Sequence, residues 1–200
     1  MTHYYTDNSD LDKNEKDIHF VFDSCAYTFT TYSGVFSKDK IDYGSFAFLK
    51  ILVNQDLGKR ILDLGCGYGP IGIILKSKFH DSEIEMIDVN PRAVELTGIN
   101  ASKNKVEVKN YVSDLYSNVS GKFDTIVTNP PIRTGKENIY KIFSEAYNYL
   151  NDNGCLFVVI RKQQGAKSAV KKIEEIFDNC EIIARDKGYF ILKAKKLLTK

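Results

Sequence analysis

Arg60-Ile61-Leu62-Asp63-Leu64 is a short apolar run that breaks into Gly65-Cys66-Gly67-Tyr68-Gly69, and Pro70 then opens an apolar stretch from Ile71 to Phe79. A run of that length closed by glycines predicts a buried strand. Proline suits the first position of a helix, where its missing N–H has no partner to lose. Strand, glycine turn and helix N-terminus in direct succession form the opening unit of an open α/β sheet, with a ligand site at the carboxyl end of the strand.

Gly67-Tyr68-Gly69-Pro70-Ile71-Gly72 matches the dinucleotide string GxGxxG, so that reading has to be met. In the dinucleotide site the first glycine follows the strand at once and a pyrophosphate sits on the helix N-terminus. Here the string begins late, and Asp63 stands at the strand's end. A carboxylate beside a diphosphate costs roughly 1 kcal/mol or more even with solvent screening, whereas beside an ammonium it attracts. Asp63-x-Gly65-x-Gly67-x-Gly69 therefore favours a nucleoside joined to an amino acid, and S-adenosylmethionine is such a molecule.

The pattern repeats downstream. Glu83 to Asp88 reads as a second strand, with Asp88 about 20 residues beyond the glycine turn, where an acid can hold both ribose hydroxyls. Asn90 and Pro91 cap the next helix, and Gly98 inside it has no explanation in the sequence. Val106 to Val112 reads as a third strand ending at Ser113-Asp114-Leu115, where Asp114 is placed to accept from an adenine amine. Phe123 to Thr128 is the fourth and runs into Asn129-Pro130-Pro131-Ile132. Proline fixes its own φ and holds the preceding residue extended. The Asn129 amide oxygen and the Pro130 carbonyl can then face one way and hold both hydrogens of a planar NH2, freeing its lone pair for attack. Asn-Pro is also a common turn dipeptide. Thr134 and Glu137 stand as a capping box for the next helix, Cys155 to Ile160 is a fifth strand, and residues 180–184 and 188–192 form a closing hairpin across Arg185-Asp186-Lys187.

Two hundred residues suit one domain. Residues 1–17 are polar, and Ile18–Phe22 with Ala26–Tyr32 read as a small hairpin. Asp42-Tyr43-Gly44-Ser45 offers cap residues for a helix, after a loop whose Phe36 suits either a cover over a ligand or packing on the hairpin. Cys25, Cys66, Cys155 and Cys180 are scattered without a CxxC pair, which argues against zinc and for a reducing, cytoplasmic compartment. The apolar runs are too short for a bilayer span. A formal net charge of +2 gives only weak bulk attraction to nucleic acid.

Asn129-Pro130-Pro131-Ile132-Arg133-Thr134-Gly135-Lys136, with Ser33-Gly34-Val35-Phe36-Ser37 and Asp42-Tyr43-Gly44-Ser45, resembles the class I S-adenosylmethionine-dependent small-methyltransferase family, which includes ribosomal RNA small subunit methyltransferase C, a guanine-N2 enzyme. The resemblance implies a Rossmann-like α/β fold with a seven-stranded, mostly parallel sheet in the order 3-2-1-4-5-7-6, the last strand antiparallel. It implies a methyltransferase domain over residues 33–200, with an arm and hairpin at 1–32 packed on it. It implies S-adenosyl-L-methionine as the cofactor, without a metal, held by Asp63, Gly65, Cys66, Gly67, Gly69, Asp88, Val89, Asp114, Leu115 and Asn129. It implies that Asn129, Pro130, Pro131 and Ile132 form the catalytic motif, and that Phe36, Lys38, Arg133, Lys136, Arg161 and Lys162 face the substrate, ribosomal RNA or the small ribosomal subunit. Ile132 replaces an aromatic ring common in relatives, and Phe36 is a candidate to supply it. The ribosomal enzymes carry a second, amino-terminal copy of the domain, for which this length leaves no room; the chain acts as a monomer or a homodimer. A protein glutamine amide or small-molecule substrate, a non-catalytic RNA-binding or ribosome-assembly module, and an NAD-dependent oxidoreductase are the rival readings.

Overall fold

The computed structural model describes residues 15–32, 40–131 and 135–198. Phe36, Lys38, Ile132, Arg133 and Thr134 lie outside the described residues. Chain order gives strands β1 (Lys16–Phe22) and β2 (Cys25–Thr31), helix α1 (Tyr43–Leu52), β3 (Arg60–Leu64), α2 (Pro70–Lys78), β4 (Glu83–Asp88), α3 (Pro91–Lys103), β5 (Lys109–Val112) and β6 (Phe123–Thr128). Then follow α4 (Lys136–Tyr149), β7 (Leu150–Arg161), a 3-10 turn at Lys162–Gln164, α5 (Ala166–Phe177), β8 (Glu181–Asp186) and β9 (Tyr189–Lys195).

Seven strands form one sheet in the order β5-β4-β3-β6-β7-β9-β8. Only β9 runs antiparallel to its neighbours. Counted from β3, this is the expected order 3-2-1-4-5-7-6. Because successive residues of a strand face opposite ways, β3 feeds two cores: Ile61 joins the one with α1, α2 and the hairpin, and Leu62 and Leu64 the one with α4 and α5. Parallel strands covered on both faces explain why these runs read as continuously apolar.

Among the boundaries that depart from the sequence expectation, three do so for a clear local reason. The strand expected over 106–112 begins at Lys109, because α3 ends in a Schellman turn: Lys105 takes φ 56°, Lys105 N donates to Ser102 O (3.1 Å) and Val106 N to Ala101 O (3.0 Å). The strand expected from Cys155 starts at Leu150, across a register shift where Gly154 meets three backbone carbonyls within 3.1 Å of where a Cβ would stand. The expected capping box does not start α4. Gly135, at φ 89°, is the N-cap and Glu137 falls one position too early to close the box.

The hairpin of β1 and β2 lies on α3 through two asparagines. Thr30 N donates to Asn100 Oδ1 (2.6 Å) and Asn100 Nδ2 to Thr30 O (2.9 Å); Asn104 makes the same pair of bonds with Thr28, at 3.0 and 2.8 Å. Four helical residues rise about 6 Å and two strand residues about 6.8 Å, so asparagines at i and i+4 meet peptides at j and j−2 of a strand that runs the opposite way.

Candidate active site

Main-chain register brings the strand ends together. Leu64 lies opposite Ile87 and Thr128, and Asp88 opposite Val112, so β3, β4, β5 and β6 finish along one edge. Gly65 N and Cys66 N both donate to Ile87 O, at 2.8 and 2.9 Å, and Thr128 Oγ1 donates to Leu64 O at 2.9 Å. These bonds hold the glycine turn and the Asn-Pro-Pro segment on adjacent strands.

Gly65, Gly67 and Gly69 all take positive φ, at 74°, 60° and 97°, a region that favours glycine. At Gly65 and Gly67 a Cβ would meet nothing within 4 Å, so the backbone there borders open space, a cradle that a ligand can occupy and a side chain would fill. At Gly72 the reason for glycine is packing: a Cβ would fall 2.6 Å from the Met86 side chain.

Asp63 is buried and uses Oδ2 to accept from Gly72 N (2.9 Å) at the start of α2. Its Oδ1 is buried and has no hydrogen-bond partner among the described residues. Burial, offset in part by the Gly72 N–H and reinforced by Asp88, pushes the carboxyl up to about 7. A cation next to Oδ1 would restore the charged form, so the residues present fit the ammonium of an amino-acid-bearing nucleoside. They do not fit a pyrophosphate, since the helix N-terminus is already held by a carboxylate.

Asp88 bridges two loops, accepting from Gly67 N through Oδ2 and from Asn90 N through Oδ1, both at 2.9 Å. A carboxylate oxygen can accept more than one hydrogen bond, as a pair of ribose hydroxyls would require. Val89 beside it is partly exposed. The Cys66 thiol is buried against Thr97, and burial pushes its pKa well up, so it contributes backbone and bulk, not a nucleophile. Asp114 is exposed, and Leu115 takes φ 49° in a loop tied by Ser113 Oγ to Leu115 O (2.8 Å). A leucine at positive φ is strained backbone held by its surroundings.

Asn129 is the best-defined of the expected catalytic residues. Its Nδ2 donates to Ser45 Oγ (3.0 Å) and Asp42 Oδ1 (3.4 Å) on the first turn of α1, and its Oδ1 accepts no hydrogen bond among the described residues. Pro130 is buried and Pro131 half-buried. Lys136, Arg161 and Lys162 are exposed, Lys136 on the segment after β6 and the other two at the end of β7, on the same sheet edge.

Several residues here had no site role assigned to them in the sequence. Asp42-Tyr43-Gly44-Ser45 reads there as a cap, and Asp42 is indeed the N-cap of α1, accepting from Ser45 N (3.1 Å). Tyr43 packs on Tyr189 with ring centroids 6.1 Å apart, Lys187 Nζ stands 4.7 Å from the Tyr43 ring, and the Arg161 guanidinium 5.8 Å from Tyr189. The turn joining β8 and β9 thereby adds a cation to the same edge. Tyr68, inside the glycine turn, is buried with its hydroxyl unpartnered among the described residues, and burial together with the nearby Asp42 carboxylate pushes its pKa up.

The family described as "Methyltransferase small domain" matches residues 26–193. An uncharacterized protein of Bacillus subtilis, YbxB, is 46% identical over 198 residues, 98% of each chain. Ribosomal RNA small subunit methyltransferase C of Photobacterium profundum is 32% identical over 178 residues, 84% of this chain but 50% of that protein. The chain thus spans about half the length of that curated relative. Among solved structures, T. thermophilus 16S rRNA N2 G1207 methyltransferase, in complex with AdoMet and guanosine, superposes with a TM-score of 0.82 at 24% identity, over 91% of this chain and 50% of that one. The chain belongs to the methyltransferase small domain family.

Proposed function

We propose that this protein transfers a methyl group from S-adenosyl-L-methionine to the exocyclic N2 amine of a guanine in 16S ribosomal RNA. The observation that carries the reading is the Asn129 side chain, whose NH2 is engaged by α1 and whose oxygen, without a donor among the described residues, is left to accept from a planar amine. The bound cofactor supplies a methyl carbon on a sulfonium, a good leaving group that needs no nucleophilic side chain. Asp63 and the open backbone at Gly65 and Gly67 suit its amino-acid end, and Asp88 its ribose hydroxyls. Asn129 Oδ1 and the Pro130 carbonyl orient the amine, so the rate gain comes from alignment and fixed dipoles.

Two considerations favour ribosomal RNA over a protein amide. Relatives of this family are named for that substrate, the T. thermophilus enzyme specifically for a guanine N2. Lys136, Arg161 and Lys162 with Lys187 also crowd the rim with cations suited to phosphate. A base inside a stem has to be flipped out to reach the site.

Small ribosomal subunits from cells lacking this protein, incubated with radiolabelled S-adenosylmethionine and the purified chain, should yield N2-methylguanosine on nucleoside mass spectrometry. Asn129→Ala should lower turnover by about 100-fold or more while leaving cofactor affinity nearly unchanged. Label appearing only in protein, or equal turnover in the variant, would reject the proposal, and tight binding of NAD with none of S-adenosylmethionine would favour the oxidoreductase.

A further inference from the structure

The Asn129 amide can be turned two ways about its last torsion, and only one of them presents oxygen to an incoming amine. An Asn side chain carries an acceptor on one arm and two donors on the other. What selects the arm is the neighbour. We infer that Asp42 and Ser45, on the first turn of α1, are positioning residues that lock the Asn129 amide with its oxygen toward the substrate. The inference rests on the acceptor role proposed for Asn129 and names what enforces it.

Chemistry makes the selection one-sided. An ionised carboxylate only accepts, so Asp42 Oδ1, 3.4 Å from Asn129 Nδ2, admits the NH2 arm and repels the carbonyl arm. Ser45 Oγ, 3.0 Å from the same nitrogen, gives the second hydrogen a partner. Asp42 is held in turn by its capping bond from Ser45 N at 3.1 Å, so the two residues orient each other before they orient Asn129. Gly44 between them keeps the space. A Cβ there would stand 2.9 Å from Asp42 Oδ1 and 2.7 Å from Tyr189 Cε1, and would push the carboxylate out of place. The Asp-x-Gly-Ser spacing thereby provides a cap, a gap and a hydroxyl in one helical turn.

A purely structural link between α1 and β6 would affect melting temperature alone; a positioning role also changes kcat and the amide itself. Asp42→Ser keeps a good N-cap but withdraws the acceptor beyond reach of Asn129, and Ser45→Ala removes the other. Each variant, and the pair combined, should lose roughly 10- to 100-fold in kcat on the same ribosomal subunits with cofactor affinity unchanged. Asp42→Asn, which still offers one oxygen at the same place, should recover most of the loss seen with Asp42→Ser. Independently of any substrate, hydrogen exchange of the Asn129 side-chain NH2, followed by NMR on the 15N-labelled protein, should be slow in the wild type and fast in the double variant. Wild-type kcat in folded variants, or wild-type NH2 protons exchanging as quickly as those of an exposed asparagine, would overturn the inference. Should the wild type methylate nothing on the subunits, the substrate reading fails by itself and the exchange measurement still decides the locking.

Discussion

A carboxyl group at 1% exposure with one oxygen unpartnered among the described residues is a costly thing to keep in a core, and Asp63 is such a group. Its pKa, about 7 against an ordinary 3.8, sets the sign of its effect. Between those values the folded protein retains a proton that the unfolded chain has released, so this residue's contribution to stability is fully present below about pH 4 and is lost as pH rises through 7. Asp63→Asn keeps an oxygen for Gly72 N but carries no charge. Without cofactor its melting temperature should exceed the wild type's by a few degrees at about pH 8 and converge on it near about pH 4. Calorimetric titration should show the opposite for function, with wild-type affinity for S-adenosylmethionine rising through about pH 7 and the variant weak at every pH. A wild-type melting temperature unaffected by pH over that range would contradict the assignment. Asp63 illustrates how burial converts a strand-end acid, common in any turn, into a group that awaits a cation.

At the scale of the element, α3 carries two residues that local propensity would exchange. Gly98 stands mid-helix, where glycine costs about 1 kcal/mol relative to alanine, and a Cβ there would meet, among the described residues, only the Asn110 side chain, at an ordinary 3.5 Å from Nδ2 and 3.9 Å from Oδ1. Lys105 takes φ 56° at the Schellman turn, a position that favours glycine. Gly98→Ala and Lys105→Gly should therefore each stabilise by roughly 0.5–1 kcal/mol in urea titrations, and add when combined. A destabilised Gly98→Ala would mean that the helix cannot accept even a methyl beside β5. Element boundaries failed in the sequence for the same kind of reason. Val106–Val108 carries strand-like residues, but Val106 N is already spent on Ala101 O, and alternation of residue type does not reveal which backbone groups a helix end has claimed.

Over the whole molecule, Asn100 joins three parts that are far apart in the chain. Fully buried on α3, it bonds Thr30 in the hairpin through both arms and donates to Tyr68 O in the glycine turn at 2.8 Å. The hairpin is therefore coupled to the glycine turn through this side chain, beside the edge contact of the Phe29 and Tyr68 rings at 5.9 Å. Asn100→Ala strands a buried N–H and two carbonyls, at about 1–3 kcal/mol for such groups, and should lower the melting temperature by several degrees. Cofactor affinity should fall with it, because Tyr68 loses its anchor; unchanged affinity in a folded variant would show that the turn holds itself. Nothing about an isolated asparagine in a helix pattern identifies this role. The link closes only when β2 lies along α3.

The alternation of apolar runs with glycine- and acid-ended turns was enough to specify a parallel α/β sheet, its strand order by family resemblance, and the edge at which the glycine and acid turns gather, because those features follow from local spacing and from where parallel strands end. Asp63, Gly65, Gly67, Asp88 and Asn129 could be placed along that edge for the same reason: each stands at or just beyond a strand's end. The orientation of the Asn129 amide, the unpartnered oxygen of Asp63, the Tyr43–Tyr189–Arg161 cluster and the Asn100 bridge belong to the tertiary structure alone. Each depends on a partner between about 9 and 150 residues away in the chain, and a hydrogen bond or a burial cost exists only once both partners share a place in space.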